Sequence, residues 1–380
     1  MDFELTEELT MVRDMARTFA DEVLAPRATK ADRDGFIDPE VFAKIGELGL
    51  WGLTIPEAYG GAGMGNLALS LVLEELNRAC ASTGVTVSVH NSLLGAPIKR
   101  HGTEEQKKRW MPKLATGEVL GCYCLTEPNA GSDAGALRTT AVLDGDEWVI
   151  DGTKIWVTNG GIAGLAIVYV RTDPSASNSK GISAIVVPMD TKGVTVGKPE
   201  KKTGIRGSST TEVVFEGVRV PKDHLLGGLN RGFPIALETL DGGRIGIASQ
   251  AVGIAQACLD RAVKYSKERE QFGQPIAEFQ AIQWKLADMA TRIDASRALV
   301  HKAAWLRDRD ERCTREAAEA KMFASQTANF CADEALQIHG GAGYTDDFDI
   351  ERLFRDARIT EIYEGATDIQ RIVIARAVLA

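Results

Sequence analysis

The sequence predicts an α+β protein in which a helical segment, a β-sheet segment and a second helical segment follow one another. Apolar side chains recur with a helical period over the first 118 residues. The period changes to two from about residue 119 to residue 226, and the helical period then returns. We therefore predict an N-terminal helical domain (1–118), a middle antiparallel β-domain (119–226) and a C-terminal helical bundle domain (227–380).

The N-terminal domain contains two clear helix signals. Residues 67–76 form a strongly apolar run, and Thr103-Glu104-Glu105-Gln106 has the spacing of a capping box at a helix start. The run Gly63-Met64-Gly65-Asn66-Leu67-Ala68 satisfies a loose G-x-G-x-x-A pattern, but a poor strand precedes it and no β-α-β alternation surrounds it. We therefore predict a loop that leads into a helix, which argues against a nicotinamide-binding enzyme.

The middle domain contains short runs with the composition and period of strands, at 147–150, 165–170, 182–187 and 212–215. Asp144-Gly145 and Asp151-Gly152 predict tight turns between strands. The polar run at 173–179 predicts a loop.

The C-terminal domain begins after Gly227-Gly228, where the helical period returns. Its predicted core consists of apolar or small residues at helical spacing, namely Ile245, Val252 and Leu259, then Ala248, Ala255 and Ala262, then Ile282, Leu286, Met289 and Ile293, and finally Phe323 and Phe330. Small residues at this spacing permit close packing of helices.

Composition excludes several classes of function. The 380 residues include 44 Lys plus Arg against 53 Asp plus Glu, a net charge of −9 that disfavours nucleic-acid binding. The longest uncharged stretch, 155–170, is too short and too polar to span a membrane. Six cysteines in a chain of this length indicate a reducing compartment, and no ligand set for a metal is apparent.

The first residues are acidic and lack a secretory pattern. We therefore predict a cytoplasmic protein, with a mature mitochondrial-matrix form as the alternative.

Glu364 is the first candidate for chemistry. In the run 362–370 it follows an isoleucine and a tyrosine and precedes a glycine. A carboxylate held in apolar surroundings has a raised pKa and becomes a usable base near neutral pH. A lone glutamate is more commonly a solvated surface charge, so these residues alone leave both interpretations open.

Two further runs indicate a ligand with polar and flat parts. The run 123–135 breaks from an apolar strand at Pro128 into Gly, Asn, Ser and Asp, whose backbone N–H groups and hydroxyls suit a phosphate-bearing cofactor. In the run 154–161, Trp156 and Thr158 lie two residues apart, on one face of a predicted strand. A cluster of β-turns and a core tryptophan are the simpler alternatives.

Together these runs resemble the acyl-CoA dehydrogenase family, and the resemblance extends over essentially the whole chain. The runs His90-Asn91-Ser92-Leu93 and 240–248 are most similar to the short-chain (butyryl-CoA) branch. The resemblance implies a C-terminal four-helix bundle. It also implies FAD-dependent α,β-dehydrogenation of a short-chain acyl-CoA to the trans-2-enoyl-CoA, with electrons passed to electron-transferring flavoprotein. The implied assembly is a homotetramer, a dimer of dimers.

The resemblance also implies roles for individual residues. Glu364 matches the family's base for the α-proton, and its backbone N–H matches a donor to the thioester carbonyl. In the isovaleryl and long-chain branches the base lies on a different helix, at the position of Gly243 here. The residues that match the acyl-CoA site are Ser132, Asp241, Gly242, Gly243, Arg244 and Gly365.

The FAD-binding residues implied by the resemblance fall into three sets. The first is Tyr123, Cys124, Leu125, Thr126, Gly131, Ser132, Trp156, Val157 and Thr158. The second, which in the family contacts the ADP half from a neighbouring subunit, is Arg269, Phe272, Gln280, Gln337, Ile338, His339, Gly340 and Gly341. The third is Ala366, Thr367 and Asp368, where Ala366 replaces the family's commoner threonine and Thr367 its usual serine. For His339 this implies a cofactor-contacting or structural role.

The substrate is less tightly defined. Gly84 stands at about the position where the glutaryl-CoA branch carries an arginine, which disfavours a glutaryl-CoA enzyme. Straight acyl groups of four to six carbons are expected, with branched short acyl-CoA as the alternative. An oxidase-like flavoprotein and a noncatalytic subunit that binds acyl-CoA or FAD also stay open as interpretations.

Overall fold

The N-terminal part of the chain is helical, as predicted. The computed structural model describes residues 4–380, so the first three residues of the predicted N-terminal domain lie outside the described range. Its helices are α1 (Glu7–Phe19), α2 (Ala25–Asp34), α3 (Pro39–Glu47), α4 (Asn66–Ala79), α5 (Ala81–Val89), α6 (Ala96–His101) and α7 (Glu104–Thr116).

Two local predictions for this part are confirmed. The side chains of Thr103 and Gln106 form the reciprocal hydrogen bonds of a capping box at the start of α7. The glycine-rich run before α4 is a loop that leads into the helix, with no strand before it. A nicotinamide-binding turn is therefore absent at this position.

The middle part is one sheet of eight strands. They are β1 (Gly121–Cys124), β2 (Thr140–Asp144), β3 (Glu147–Thr158), β4 (Leu165–Arg171), β5 (Ile182–Pro188), β6 (Val194–Val196), β7 (Thr210–Pro221) and β8 (Leu225–Leu226). Their order is β6-β7-β3-β2-β4-β5-β8, and β1 pairs with β4. The pairings are antiparallel, except that β1 and β2 each run parallel to β4.

The turn predicted at Asp151-Gly152 is wrong. β3 continues through both residues, and its register against β7 shifts between Ile150 and Gly152. Gly152 has a φ of +151°, and a Cβ there would lie 2.4 Å from Oγ1 of Thr139. The glycine therefore serves a bulge and a close approach to the neighbouring chain segment, not a chain reversal. The turn at Asp144-Gly145 is confirmed as the β2–β3 hairpin.

The C-terminal part is built from three long helices and two shorter ones. They are α8 (Gly232–Glu268), α9 (Gln280–Asp308), α10 (Thr314–His339), α11 (Ile350–Ile359) and α12 (Thr367–Leu379). A small hairpin of β9 (Glu270–Gln271) and β10 (Gln274–Pro275) separates α8 from α9.

The predicted helical core is confirmed for most of its residues. Ile245, Val252, Met289 and Ile293 are buried, as are the three alanines on α8. Others among the predicted core residues are only partly buried, namely Leu259, Ile282, Leu286, Phe323 and Phe330. The core of α10 is formed instead by buried alanines, which let α8 and α9 approach closely.

Helix α4 of the N-terminal part also packs against α8 and α9. The hydroxyls of Ser70 and Ser249 lie 2.7 Å apart, and Glu74 accepts hydrogen bonds from Arg297 and His301. A Cβ on Gly253 would lie 2.3 Å from the carbonyl oxygen of Glu74, so glycine is needed where the two helices meet. The helices of the N-terminal part thus pack directly against those of the C-terminal part.

Among residues 4–380, none of the helices combines the length and the apolar character that a membrane crossing requires. In the same range, His, Cys, Asp and Glu side chains form no cluster suited to a metal ion. All six cysteines are free and buried.

Candidate active site

Glu364 lies in a tight turn between α11 and α12. Glu364 and Gly365 both have left-handed backbones, with φ of +54° and +92°. Two side chains donate hydrogen bonds to the carbonyl oxygen of Gly365, Gln370 through Nε2 at 2.7 Å and Lys321 through Nζ at 2.8 Å. A non-glycine residue at positive φ is strained, so these two donors hold a conformation that the chain would otherwise leave.

The side chain of Glu364 is partly buried, and one of its carboxylate oxygens is fully buried. Its Oε2 has no hydrogen-bond partner in the described structure. Burial raises the pKa of Glu364 to about 7, although the positive charges of Arg244 and Lys321 oppose the shift. A carboxylate with this pKa exists in both protonation states near neutral pH, which suits a general base.

Gly243 on α8 leaves the space that Glu364 occupies. A Cβ on Gly243 would lie 2.5 Å from Oε2 of Glu364 and 2.9 Å from Cδ2 of Leu93. The adjacent Gly242 faces the guanidinium of Arg307, which a Cβ would meet at 3.1 Å. The glycine pair therefore lies at the wall of the site, and side chains there would displace the carboxylate or its surroundings.

An ion pair on α8 lies on the same wall. Arg244 donates to Oδ1 of Asp241 at 2.9 Å, and Thr314 donates to Oδ2 at 2.7 Å. All three groups are at least half-buried. The positive charge of Arg244 is thus compensated by a carboxylate of its own helix.

Two tyrosines connect the turn to the rest of the fold. Tyr123 on β1 interacts electrostatically with Glu364, and its pKa is raised mainly by burial. The hydroxyl of Tyr363 donates to Oε1 of Gln250, whose Nε2 donates to the carbonyl oxygen of Ala81 at 3.1 Å. The structure therefore brings Tyr123, Glu364 and the 241–244 run together, although they are far apart in the sequence.

A buried lysine fixes the segment that follows β1. Nζ of Lys154 donates to the carbonyl oxygens of Leu125 at 3.1 Å and Tyr169 at 2.6 Å, and to Oε1 of Glu127 at 2.8 Å. Burial opposes ionisation of Glu127, but Lys154 and the backbone N–H groups that it accepts hold its pKa below the ordinary value. Leu125 and Thr126 therefore lie in a rigid segment next to Cys124, which is buried.

Trp156 lies at a bulge in β3 beside this segment. Its φ is +58°, the register against β7 shifts between Lys154 and Val157, and N–H of Ile155 donates to the carbonyl oxygen of Thr126 at 2.9 Å. The indole is 59% exposed, whereas Val157 is buried and Thr158 half-buried. Backbone strain of this kind is concentrated at ligand-binding sites, so Trp156 stays a candidate contact for a flat ligand.

The loop after β1 exposes part of the 123–135 run. Gly131 and Ser132 are exposed, and a Cβ on Gly131 would meet no atom within 4 Å. The first set of predicted FAD-binding residues therefore includes exposed positions at Gly131, Ser132 and Trp156.

The second predicted FAD set lies at the other end of α8. Arg269 caps the C-terminus of α8, Phe272 at the hairpin is 95% exposed, and Gln280 begins α9. The ring of His339 stacks on Tyr265 with centroids 4.2 Å apart, which joins this end of α8 to the end of α10.

The neighbours of His339 in this set are placed differently. Ile338 and His339 are buried, Gln337 is exposed, and no atom lies within 4 Å of a Cβ on Gly340 or Gly341. Nδ1–H of His339 donates to the carbonyl oxygen of Ala335 at 2.8 Å, and burial lowers its pKa. His339 is therefore a neutral ring that holds the end of α10.

The second set is far from Glu364 within one chain. Gly243 and Arg269 lie on one continuous helix, 26 residues apart by their numbers, which corresponds to about 40 Å of rise. The structure therefore does not bring the second set to Glu364 of the same chain.

The third predicted set forms the start of α12. Ala366 is the N-cap and provides no side-chain hydrogen bond. Thr367 donates its N–H to the carbonyl oxygen of Glu361 at 3.0 Å, and the exposed Asp368 accepts from Arg371 at 2.8 Å. The replacement of threonine by Ala366 thus leaves this helix without the cap that a hydroxyl could supply.

Sequence reasoning missed Lys154, Lys321 and Gln370. Lys154 acts through partners that no short motif connects, and Gln370 stands in the same 362–370 run as its partner Gly365 without a pattern that marks the contact. Lys321 did carry a signal, because it occupies the buried face of α10 at helical spacing from Ala317, Ala324 and Ala328. A lysine on an alanine face is a buried polar group that needs a partner.

Comparison with family models gives three matches that together cover most of the chain. They are described as acyl-CoA dehydrogenase, N-terminal domain (residues 6–118), middle domain (122–218) and C-terminal domain (230–379).

Relatives at about half identity cover the whole chain. A probable acyl-CoA dehydrogenase, YngJ, of Bacillus subtilis is 51% identical over 379 residues and covers 100% of both chains. The mitochondrial short-chain specific acyl-CoA dehydrogenase of Bos taurus is 51% identical, covering 98% of this chain and 90% of its own. An acryloyl-CoA reductase (NADH) of Anaerotignum propionicum is 48% identical, covering 100% and 96%.

Solved structures agree with these relatives. Butyryl-CoA dehydrogenase from Megasphaera elsdenii has a TM-score of 0.98 at 43% identity, with 100% of both chains covered. A chain solved in work on the electron transferring flavoprotein of Acidaminococcus fermentans and flavin-based electron bifurcation has a TM-score of 0.98 at 48% identity, again with 100% of both chains covered. A glutaryl-CoA dehydrogenase from Mycobacterium smegmatis in complex with FADH2 has a TM-score of 0.92 at 31% identity, covering 98% and 95%.

Proposed function

Because the chain belongs to the acyl-CoA dehydrogenase family of FAD-dependent oxidoreductases, we propose that it converts a short-chain acyl-CoA thioester to the trans-2-enoyl-CoA. The observation that carries this proposal is the Glu364 carboxylate, whose Oε2 is buried without a hydrogen-bond partner and lies against Gly243. Its pKa of about 7 is the property that a base for a weakly acidic C2 proton requires.

Glu364 takes the proton from C2 of the acyl group in this proposal. The left-handed turn holds the backbone N–H of Glu364 in a fixed direction, so this N–H is available to the thioester carbonyl as negative charge develops on it. Bound FAD supplies the acceptor for the hydride that leaves C3.

The residues that would hold FAD are the first set around Tyr123 and Trp156 and, from a neighbouring subunit, the second set around Arg269 and His339. Two observations support this division. Gly243, which lies against Glu364 and near Tyr123, is separated from Arg269 by about 40 Å of rise along α8 of one chain. The aromatic side chain of Phe272 in the second set is almost fully exposed, as expected of a residue whose partner belongs to another chain.

A short, uncharged acyl group is the proposed substrate. The relatives named above as short-chain specific and butyryl-CoA dehydrogenases support acyl groups of four to six carbons. At Gly84 a Cβ would lie 2.2 Å from Nδ2 of Asn77, so an arginine has no room there. This supports exclusion of a glutaryl group, whose distal carboxylate needs a cation.

Reduction of an enoyl-CoA is the second candidate function, favoured by the relative named as an acryloyl-CoA reductase. In that direction the protonated form of Glu364 would deliver a proton to C2. The two directions are distinguished by supplying NADH and acryloyl-CoA, with and without an electron-transferring flavoprotein, and following NADH oxidation.

For the assembly we propose a homotetramer of two dimers that passes electrons to electron-transferring flavoprotein. The neighbour from the Acidaminococcus fermentans work supports that partner. We place the protein in the cytoplasm, supported by its bacterial relatives, with the mitochondrial matrix as the alternative, supported by the relative from Bos taurus.

The test is anaerobic titration of the purified protein with acyl-CoAs of increasing length, followed by the loss of oxidised-flavin absorption. Butyryl-CoA and hexanoyl-CoA are expected to bleach the flavin. Glu364→Gln is expected to retain FAD and substrate but to reduce flavin slower by roughly three or more orders of magnitude, because a base has been removed. Undiminished bleaching in this variant would refute the assignment.

The same reaction is expected to depend on pH. Only ionised Glu364 accepts a proton, so the rate of flavin reduction should rise as pH increases through about 7 and level off above it. A rate that falls over this interval would contradict the role of Glu364 in this direction.

A further inference from the structure

Lys321 is a fully buried lysine at the back of the Glu364 turn. It lies on α10 among alanines of the helical core, and its Nζ donates to the carbonyl oxygen of Gly365 at 2.8 Å. Burial of an ammonium group costs free energy unless the charge is compensated. A buried lysine bonded to Gly365, the residue that follows the candidate base, therefore needs an explanation.

The charge of Lys321 has no carboxylate in direct contact. Among residues 4–380, no Asp or Glu oxygen lies within 4.0 Å of its Nζ, whereas Arg244 is paired with Asp241 at 2.9 Å. Of the two cations that act on Glu364, Arg244 has the larger effect on its pKa and is paired with Asp241, whereas Lys321 acts without a carboxylate partner of its own.

We propose that Lys321 is a positioning residue for the reaction: it fixes the Glu364–Gly365 turn through the Gly365 carbonyl and supplies, from behind the turn, a positive charge that helps to stabilise the ionised base. This inference rests on the proposed function of Glu364. It extends that function by assigning the geometry and the ionisation of the base to one residue on another helix.

Other charged and polar groups also face the turn, and Arg244 likewise favours the ionised form of Glu364. Arg244 and Asp241 face it from α8 as a pair, and Tyr123 faces it from β1 as a neutral phenol. Glu361, on the same connection as Glu364, adds negative charge near Lys321. Gln370 donates to the same Gly365 carbonyl at 2.7 Å but is uncharged, which makes it the matched control for the hydrogen bond alone.

The sign of the effect follows from electrostatics. Removal of a positive charge destabilises the ionised form of Glu364, so the pKa of the carboxyl should rise. The pH at which flavin reduction reaches half its maximum should therefore move upward in Lys321→Met. It should move less in Lys321→Arg, which keeps the charge.

The first experiment measures the anaerobic rate of flavin reduction by butyryl-CoA across pH in the FAD-loaded parent, Lys321→Met, Lys321→Arg and Gln370→Met. A rise of about one pH unit in the midpoint of Lys321→Met, about a tenfold loss of rate below the midpoint, is the expected result. Gln370→Met should lose rate by a similar factor at every pH, with its midpoint unmoved. An unmoved midpoint in Lys321→Met would overturn the electrostatic role.

The second experiment needs no catalysis and compares midpoints of thermal unfolding at a fixed scan rate. The parent, Glu364→Gln, Lys321→Met and the double variant form a double-mutant cycle. The two changes should be coupled at about pH 7.5, where Glu364 is ionised, and nearly additive at about pH 5.5, where it is protonated. Coupling of equal size at both pH values would indicate a merely structural lysine and overturn the proposal.

The two experiments separate this inference from its premise. Full flavin reduction by Glu364→Gln would remove the proposed base and the inference with it. Loss of reduction in Glu364→Gln, combined with an unmoved midpoint and a pH-independent cycle for Lys321→Met, would overturn the role of Lys321 alone.

Discussion

Gly243 shows how much a single residue determines at this site. Glu364 could be selected from the sequence because its apolar neighbours and the following glycine are adjacent to it in the chain. The space that Glu364 occupies could not be predicted in this way. It exists because Gly243, 121 positions earlier in the sequence, has no side chain. Only the fold brings the α-carbon of Gly243 against the carboxylate.

We predict that Gly243→Ala impairs the chemistry while the helix remains intact. The added Cβ would lie 2.5 Å from Oε2 of Glu364, a separation that forces the carboxylate to move. A displacement of this kind should lower the rate of flavin reduction by butyryl-CoA on the order of 10²-fold. Alanine is the better helix former by about 1 kcal/mol, which offsets the cost of the added contact with Leu93, so the unfolding midpoint should change little.

Gly242→Ala is the matched comparison for this prediction. It makes the same exchange one residue earlier on α8, but its Cβ meets the movable guanidinium of Arg307 at 3.1 Å. The loss of rate should be smaller. Equal losses in the two variants would show that contact with Glu364 is not the cause.

At the scale of elements, short sequence patterns predicted those features whose contacts lie within one turn or one helix. The capping box of α7 and the apolar run of α4 involve residues within one turn or one helix, and both predictions are confirmed. Asp151-Gly152 was misread because the same dipeptide serves a turn or a bulge, and the choice depends on Thr139 of another segment. Burial of Lys154 likewise depends on three segments that meet only in the folded sheet.

We predict that Lys154→Met destabilises the protein and loosens FAD. The substitution leaves Glu127 as a buried charge without its partner and frees the carbonyls of Leu125 and Tyr169. Loss of one member of a buried pair costs about 3–5 kcal/mol of unfolding free energy. Because Leu125 and Thr126 lie in the proposed FAD site, flavin retained after gel filtration should also fall.

The control is Lys222→Met, which removes a lysine whose pair with Asp146 is exposed on the same sheet. Exposed pairs are screened by water, so unfolding and flavin content should change little. A Lys154→Met variant as stable and as rich in flavin as Lys222→Met would contradict the structural role of Lys154.

At the scale of the whole molecule, one chain does not bring the second set of predicted FAD-binding residues to Glu364. Arg269, matched to FAD binding, ends α8, whereas Glu364 and Tyr123 adjoin Gly243, about 40 Å away along the same helix. The sequence indicated both groups of residues, through the 123–135 motif and the 269–280 and 337–341 runs. The sequence could not show the distance between Arg269 and Glu364, because that distance follows from α8 being one uninterrupted helix.

We predict that two variants defective in different sets complement each other. If each FAD site takes Trp156 from one chain and Arg269 from its neighbour, a mixed dimer of Trp156→Ala and Arg269→Ala has one site with both residues intact. Co-expressed chains with two different tags, purified through both, should therefore retain more flavin per chain than either variant alone. The reason is geometric, since mixing restores no residue within a chain.

Each variant co-expressed with itself under the two tags controls for effects of tagging and selection. Flavin content in the mixed sample that equals the average of these controls would mean that a single chain supplies the whole site. In that case the second set would serve the end of α8 structurally, through the stacked Tyr265 and His339 rings, and not the cofactor.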